Sequence, residues 1–112
     1  MRIYMKKKAD PPSLEPEGRV AAFQLSQNEP NPFREKTTIR FYVAKAGQVT
    51  LRVLGWDKKQ VCILYQGEVA AGWHAVVWKG ETDNGYPPLE GHYQYRLEGE
   101  GFVAIRTLEI KE

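Results

Sequence analysis

The sequence predicts an all-β protein, a seven-stranded antiparallel β-sandwich behind an extended N-terminal leader. Three observations carry that prediction. Apolar residues recur at period two in seven short runs, and no stretch shows the 3.6-residue period of a helix. Glycine, proline, asparagine and charge punctuate the runs at close, regular spacing, the pattern of two stacked antiparallel sheets. A chain of 112 residues with 42% hydrophobic content suffices for one domain around one core.

The leader is assigned to residues 1–20 and the sandwich to residues 21–112. Lys6-Lys7-Lys8, Asp10-Pro11-Pro12-Ser13 and Glu15-Pro16-Glu17-Gly18 are too rich in proline and charge to bury surface that offsets ordering entropy. The first strand is expected within Ala21 to Gln27, with Phe23 and Leu25 on one face. It runs into Gln27-Asn28-Glu29-Pro30-Asn31-Pro32-Phe33, where two prolines fix φ and remove amide donors, so the chain must turn. Lys36 to Ala44 alternates Ile39, Phe41 and Val43 against Thr38, Arg40 and Tyr42. Lys45-Ala46-Gly47 is a turn, and Val49, Leu51 and Val53 repeat the pattern. So short a link predicts a hairpin between these two strands.

Gly55 to Lys59 breaks the alternation, which resumes over Gln60 to Gln66 and again over Trp73 to Trp78. This pair is apolar on both faces, with His74, Val76 and Trp78 opposite Trp73, Ala75 and Val77. Such strands are either central and covered or present an apolar patch. Gly80 to Pro88 is a long connection containing the turn dipeptide Asn84-Gly85. His92 to Leu97 places Tyr93, Tyr95 and Leu97 on one face. Glu98-Gly99-Glu100-Gly101 turns the chain into a closing strand over Phe102 to Ile110.

Charge and composition argue against several classes of function. A net charge of +2, with its one basic cluster at Arg2, Lys6, Lys7 and Lys8, does not mark a nucleic-acid surface. No apolar run approaches the roughly 18 to 20 residues of a membrane span, and no apolar segment follows the basic start as a secretory signal requires. The compartment is left open. Cys62, alone and flanked by Val61 and Ile63, reads as a small buried hydrophobe. His74 and His92 have no second ligand at zinc spacing, and His74 reads as a core or rim histidine bonded to a backbone carbonyl. Glu81-Thr82-Asp83-Asn84-Gly85 has a passing likeness to a calcium loop. Aligning Gly85 with the invariant glycine puts Gly80 and Gly91 where an EF-hand needs oxygen ligands, so only a looser oxygen cage over residues 81–90 stays open. Ser13, Ser26 and Cys62 have no evident base. The expectation is a non-enzyme without cofactor or metal.

Taken together, several motifs carry a resemblance: Leu25 to Phe33, Thr37-Thr38-Ile39-Arg40-Phe41, Gly47 to Val53, Ala71 to Trp78 and Gly91 to Leu97. The chain resembles the Ig-like domain of the flagellar hook-capping protein family and the similar C-terminal sorting domains of type IX secretion cargo, over residues 23–111. Pro30, Asn31, Pro32 and Phe33 match the family's opening motif. Gly72, His74 and Trp78 match its central strand, and Gly91, Tyr93, Tyr95, Arg96 and Leu97 its penultimate strand. The Asp and Gly usual after the third strand are replaced by Gly55-Trp56-Asp57-Lys58-Lys59, and Leu108 to Glu112 only partly match the basic tail of a sorting signal. The resemblance implies an Ig-like sandwich without catalytic function, used for assembly or recognised by secretion machinery.

The expected function is therefore protein–protein interaction, as a free-standing accessory or assembly subunit docking on a larger complex. The expected docking face is Ile63, Tyr65, Trp73 and Val77, and the closing strand is expected to add backbone pairing to a partner's sheet. One alternative is the terminal sorting domain of a secreted cargo protein. Another is a carbohydrate-binding module using Trp56, Trp73 and Tyr86 as a stacking platform.

Overall fold

The computed structural model describes residues 22–111, and the leader assigned to residues 1–20 lies outside them. Every element among the described residues is a strand: β1 (Phe23–Leu25), β2 (Thr37–Val43), β3 (Gly47–Leu54), β4 (Gln60–Val69), β5 (Gly72–Trp78), β6 (Gly91–Gly99) and β7 (Phe102–Ile110). They form a three-stranded sheet in the order β1-β2-β5 and a four-stranded sheet in the order β4-β3-β6-β7, each paired antiparallel throughout. The predicted seven-stranded sandwich is the fold observed.

Alternation builds the core. Ile39, Phe41 and Val43 of β2 with Trp78 of β5 face Val49, Leu51 and Val53 of β3, Tyr95 and Leu97 of β6 and Leu108 of β7, all buried. Phe33, from the proline-rich turn, fills the interior beside Trp78 with ring centroids 5.5 Å apart. The Trp78 indole N–H donates to the Glu81 carbonyl at 2.8 Å, so its one polar atom is satisfied. At the edge away from β4, Phe102 lies over its cross-strand partner Gly99, where a Cβ would come within 2.3 Å of the ring. The same ring stacks on Phe23 at 4.4 Å, which ties β1 to β7 across the sandwich.

β2 and β3 are not the hairpin that the short link predicts. β2 pairs with β1 and β5, and β3 pairs with β4 and β6, so Ala44 to Ala46 arches from one sheet to the other. Three extended residues span about 10 Å, the usual separation of stacked sheets. Alternation says which side chains point inward and is indifferent to whether two strands lie side by side or face to face. Nor are β4 and β5 central: each is an edge strand. β4 looks apolar on both sides because its register against β3 shifts between Leu51 and Arg52 and again between Val53 and Leu54. Each shift inserts a residue, Leu64 in one case and Val61 in the other, and both lean on the core.

The proline-rich segment is held by a buried polar network. Asn28 sits in the interior; its backbone N–H donates to the Tyr95 hydroxyl at 2.9 Å, and that hydroxyl donates to the Ser26 carbonyl at 2.6 Å. The Asn28 amide donates to Thr37 Oγ1 at 2.9 Å and to the Pro30 carbonyl at 3.2 Å, and the Thr37 hydroxyl donates to the same carbonyl. The Glu29-Pro30 and Asn31-Pro32 peptide bonds are cis. Burying this many polar groups requires all of them to be paired, which explains why so irregular a stretch holds one shape.

Candidate interaction surfaces

The segment from Gln27 to Phe33 covers half of the outer edge of β7. Gln27 donates to the Thr107 carbonyl at 2.7 Å, and Glu109 N–H donates to Asn31 Oδ1 at 2.9 Å. Phe33 N–H donates to the Glu109 carbonyl at 3.0 Å, and Lys111 N–H to the Phe33 carbonyl at 2.9 Å. Odd-numbered residues of β7 therefore turn their backbone groups away from β6. By the two-residue period of a strand, Val103 and Ile105 present their N–H and C=O groups to the same edge. No backbone partner reaches them among the described residues. Their side chains stand on the outer face of the four-stranded sheet, opposite Glu98 and Arg96, and are 56% and 50% exposed. Beside this open half runs a groove of about 670 Å³ between the two sheet edges, lined by Phe23, Gln24 and Leu25 on one side and Ala104, Ile105 and Arg106 on the other. The Arg106 guanidinium crosses it to the Leu25 carbonyl. The Gln24 amide nitrogen is buried without a hydrogen-bond partner among the described residues.

A second concavity, about 720 Å³, lies at one end of the sandwich between the β3–β4 turn and the β5–β6 connection. Trp56, 66% exposed, and Tyr86, 73% exposed, both line it. The turn is closed by Gly55 N–H to the Lys59 carbonyl and Lys58 N–H to the Gly55 carbonyl, with Lys58 in the left-handed region at φ 72°. The opposite wall is fixed as firmly. Asp83 N–H donates to the Val61 carbonyl at 2.8 Å, Gln60 donates to Asp83 at 2.9 Å, and Tyr86 N–H donates to Asn84 Oδ1 at 2.9 Å. The Tyr93 hydroxyl holds the Leu89 carbonyl at 2.7 Å, and burial raises the pKa of this phenol despite that bond.

The expected docking residues do not share a face. Ile63 pairs with outward-facing Arg52, whereas Tyr65 pairs with buried Leu51 and leans inward, its hydroxyl bonded to the Glu68 carbonyl; the inserted Leu64 separates their phases. Trp73 and Val77 lie on the outer face of the other sheet, where Trp73 packs against Tyr42 at 5.5 Å. The two outer faces point in opposite directions. The platform of three aromatics separates likewise: Trp56 and Tyr86 both line the end cleft, and Trp73 does not.

Other motif residues are structural. His74 stacks on Phe41 at 5.3 Å and its Nε2 lies 2.7 Å from the Ala70 carbonyl, as the sequence suggests. Arg96 pairs with Glu98 at 2.6 Å and Arg52 meets the same carboxylate at 3.0 Å, on the outer face of the four-stranded sheet. Gly72 and Gly91 take positive φ at the starts of β5 and β6. Burial pushes the Cys62 thiol up to about 12, helped by the carboxylates of Asp83 and Glu81, so it stays protonated and weakly nucleophilic. Among the described residues no three His, Cys, Asp or Glu side chains gather as a metal site, including over residues 81–90. The sequence reading did not single out Asn28 as a buried residue or foresee its bond to Tyr95, which joins positions 67 residues apart.

No family model and no curated protein matches this chain. Among solved structures it is similar to the crystal structure of dimeric latent PorU from Porphyromonas gingivalis, with a TM-score of 0.65 and 16% identity. The match covers 81% of this chain and 10% of that one, so this chain spans about a tenth of PorU's length. At that identity, what the two share is the sandwich fold.

Proposed function

We propose that this domain is a non-catalytic protein-docking module of the Ig-like and sorting-domain kind that its motifs resemble, and that it engages a larger protein or assembly through the open half of β7. The observation that carries the reading is the edge at Val103 and Ile105: β-branched side chains exposed, with two residues' backbone donors and acceptors turned outward. An extended partner segment adds there as a fifth strand, its main chain giving affinity and its side chains reading the adjoining groove. A protonated, buried Cys62 supports the non-catalytic part of the reading.

The test is capture of partners from the native source on immobilised wild-type domain and on the double variant Val103→Lys, Ile105→Lys, whose new ammonium groups project to solvent. The variant is expected to melt within a few degrees of wild type and to lose the proteins that wild type retains. Equal retention by both would assign docking elsewhere or remove it. A second reading, the sorting domain of a type IX secretion cargo, is favoured by the fold neighbour, in which the sandwich is one tenth of a longer chain. The genomic sequence upstream of Met1 decides that point: an in-frame signal peptide and passenger domain support it, and a stop codon in frame removes it.

A further inference from the structure

We propose that the end cleft between Trp56 and Tyr86 binds a neutral oligosaccharide, a site separate from the β7 edge. Loop tips usually carry polar residues, yet here two large aromatic rings from different loops stand mostly exposed over one cleft, on segments 30 residues apart in the chain. Neither ring belongs to the core or packs against it; the Trp56 ring centroid lies 6.3 Å from that of His92. The volume, about 720 Å³, falls within the range of small-ligand sites.

The chemistry of the lining selects among ligands. A pyranose has apolar C–H faces and a rim of hydroxyls that both donate and accept. The two exposed ring faces match the first. The carboxylates of Asp57, Asp83 and Glu90 with the Lys59 ammonium and the His92 imidazole match the second. Three carboxylates against one ammonium disfavour phosphates, nucleotides and uronic or sialic acids, which selects a neutral sugar. The walls are also set in advance. Asp57 Oδ1 accepts Lys59 N–H at 3.0 Å, the Thr82 hydroxyl donates to the Tyr86 carbonyl, and Asn84 accepts Tyr86 N–H, so little loop entropy is lost on binding.

The experiment is titration of the purified domain with cellohexaose, maltohexaose and chitohexaose, read by tryptophan fluorescence and by the indole N–H resonances. At least one is expected to give a saturable response at millimolar or lower concentration that moves the Trp56 resonance and leaves that of Trp78 in place. Trp56→Ala is expected to weaken binding about tenfold or more. Tyr86→Ala is expected to weaken it as well, and Trp73→Ala to leave it unchanged. Silence with all three sugars, or binding that survives Trp56→Ala, overturns the assignment. So does a stronger response to oligogalacturonate than to any neutral sugar. Retention of a protein from native extract by wild type but not by Trp56→Ala, without any sugar response, gives the cleft to a polypeptide and likewise overturns it. None of these outcomes touches the β7 edge, whose variants are scored independently.

Discussion

Tyr95→Phe isolates one hydroxyl that joins the proline-rich turn to the four-stranded sheet. The ring is fully buried, and phenylalanine preserves its packing, so the apolar contribution is unchanged. What is lost is the acceptor for the buried Asn28 N–H at 2.9 Å and the donor to the Ser26 carbonyl at 2.6 Å. Orphaning the buried Asn28 N–H costs about 1 to 3 kcal/mol and the part-buried Ser26 carbonyl less, so the variant is expected to lose about 2 to 3 kcal/mol. That is a large share of the roughly 5 to 15 kcal/mol that a domain commonly has. In urea, with m of about 1.5 kcal/mol/M, the midpoint should fall by about 1.5 M while m stays constant. Tyr93→Phe is the matched control: its ring stays packed on the core, but its hydroxyl bonds the Leu89 carbonyl where water reaches that bond, so a change within about 0.5 kcal/mol is expected. Equal losses in the two variants would show that the Asn28 N–H finds another partner, and the network would not be what fixes the turn.

Trp78→Ala should cost about 3 to 5 kcal/mol, because the ring is fully buried against Phe33; a loss below about 1 kcal/mol in the same urea assay would contradict the packing. Stability should decline in alkali. Burial pushes both the Cys62 thiol, from 9.0, and the Tyr95 phenol, from 10.0, up to about 12. Each is neutral when protonated, so the native state keeps protons that the unfolded chain gives up. The stabilisation is complete below the ordinary values and is lost as pH rises through about 12. Urea midpoints that stay flat from pH 8 to 11 would refute this, as would rapid reaction of native Cys62 with a thiol reagent at pH 8. Lys58→Gly should stabilise by up to about 1 kcal/mol by relieving a left-handed backbone at φ 72°, and a lower melting temperature would count against that account.

Strand positions were legible because each strand buries one face, and burial of one face forces alternation. Ile39, Phe41 and Val43 could be placed inward from the sequence, as could Trp78, Tyr95 and Leu97. Sheet membership was not legible, since the Ala44–Ala46 link is long enough to arch and short enough to suggest a hairpin. The phase of β4 was hidden for a different reason: inserting Leu64 turns Tyr65 inward and leaves Ile63 outward, and a strict two-residue count cannot see an insertion. Trp56 and Tyr86 could be named, with Trp73, as candidate stacking aromatics, but which of them line one cleft depends on how two loops fold at the end of the sandwich. The Asn28–Tyr95 contact was out of reach because one hydrogen bond across 67 residues leaves no local pattern.

The half-covered edge of β7 bears on why the proline-rich motif stands where it does. An unpaired strand edge invites indiscriminate pairing, and proteins blunt such edges with prolines, charges or a crossing segment. Between Thr107 and Lys111 the crossing segment is the motif itself, with Asn31 and Phe33 occupying the backbone groups that another chain would otherwise meet. β1, which could have extended that cover, ends at Leu25 and is only three residues long. The open part that results carries valine and isoleucine, with Arg106 as the charge beside it. An edge protected over half its length and left apolar over the rest restricts where a strand can add and in which register. Any strand that added there would be confined to residues 102–106, because further along β7 it would have to displace hydrogen bonds already made to Gln27, Asn31 and Phe33.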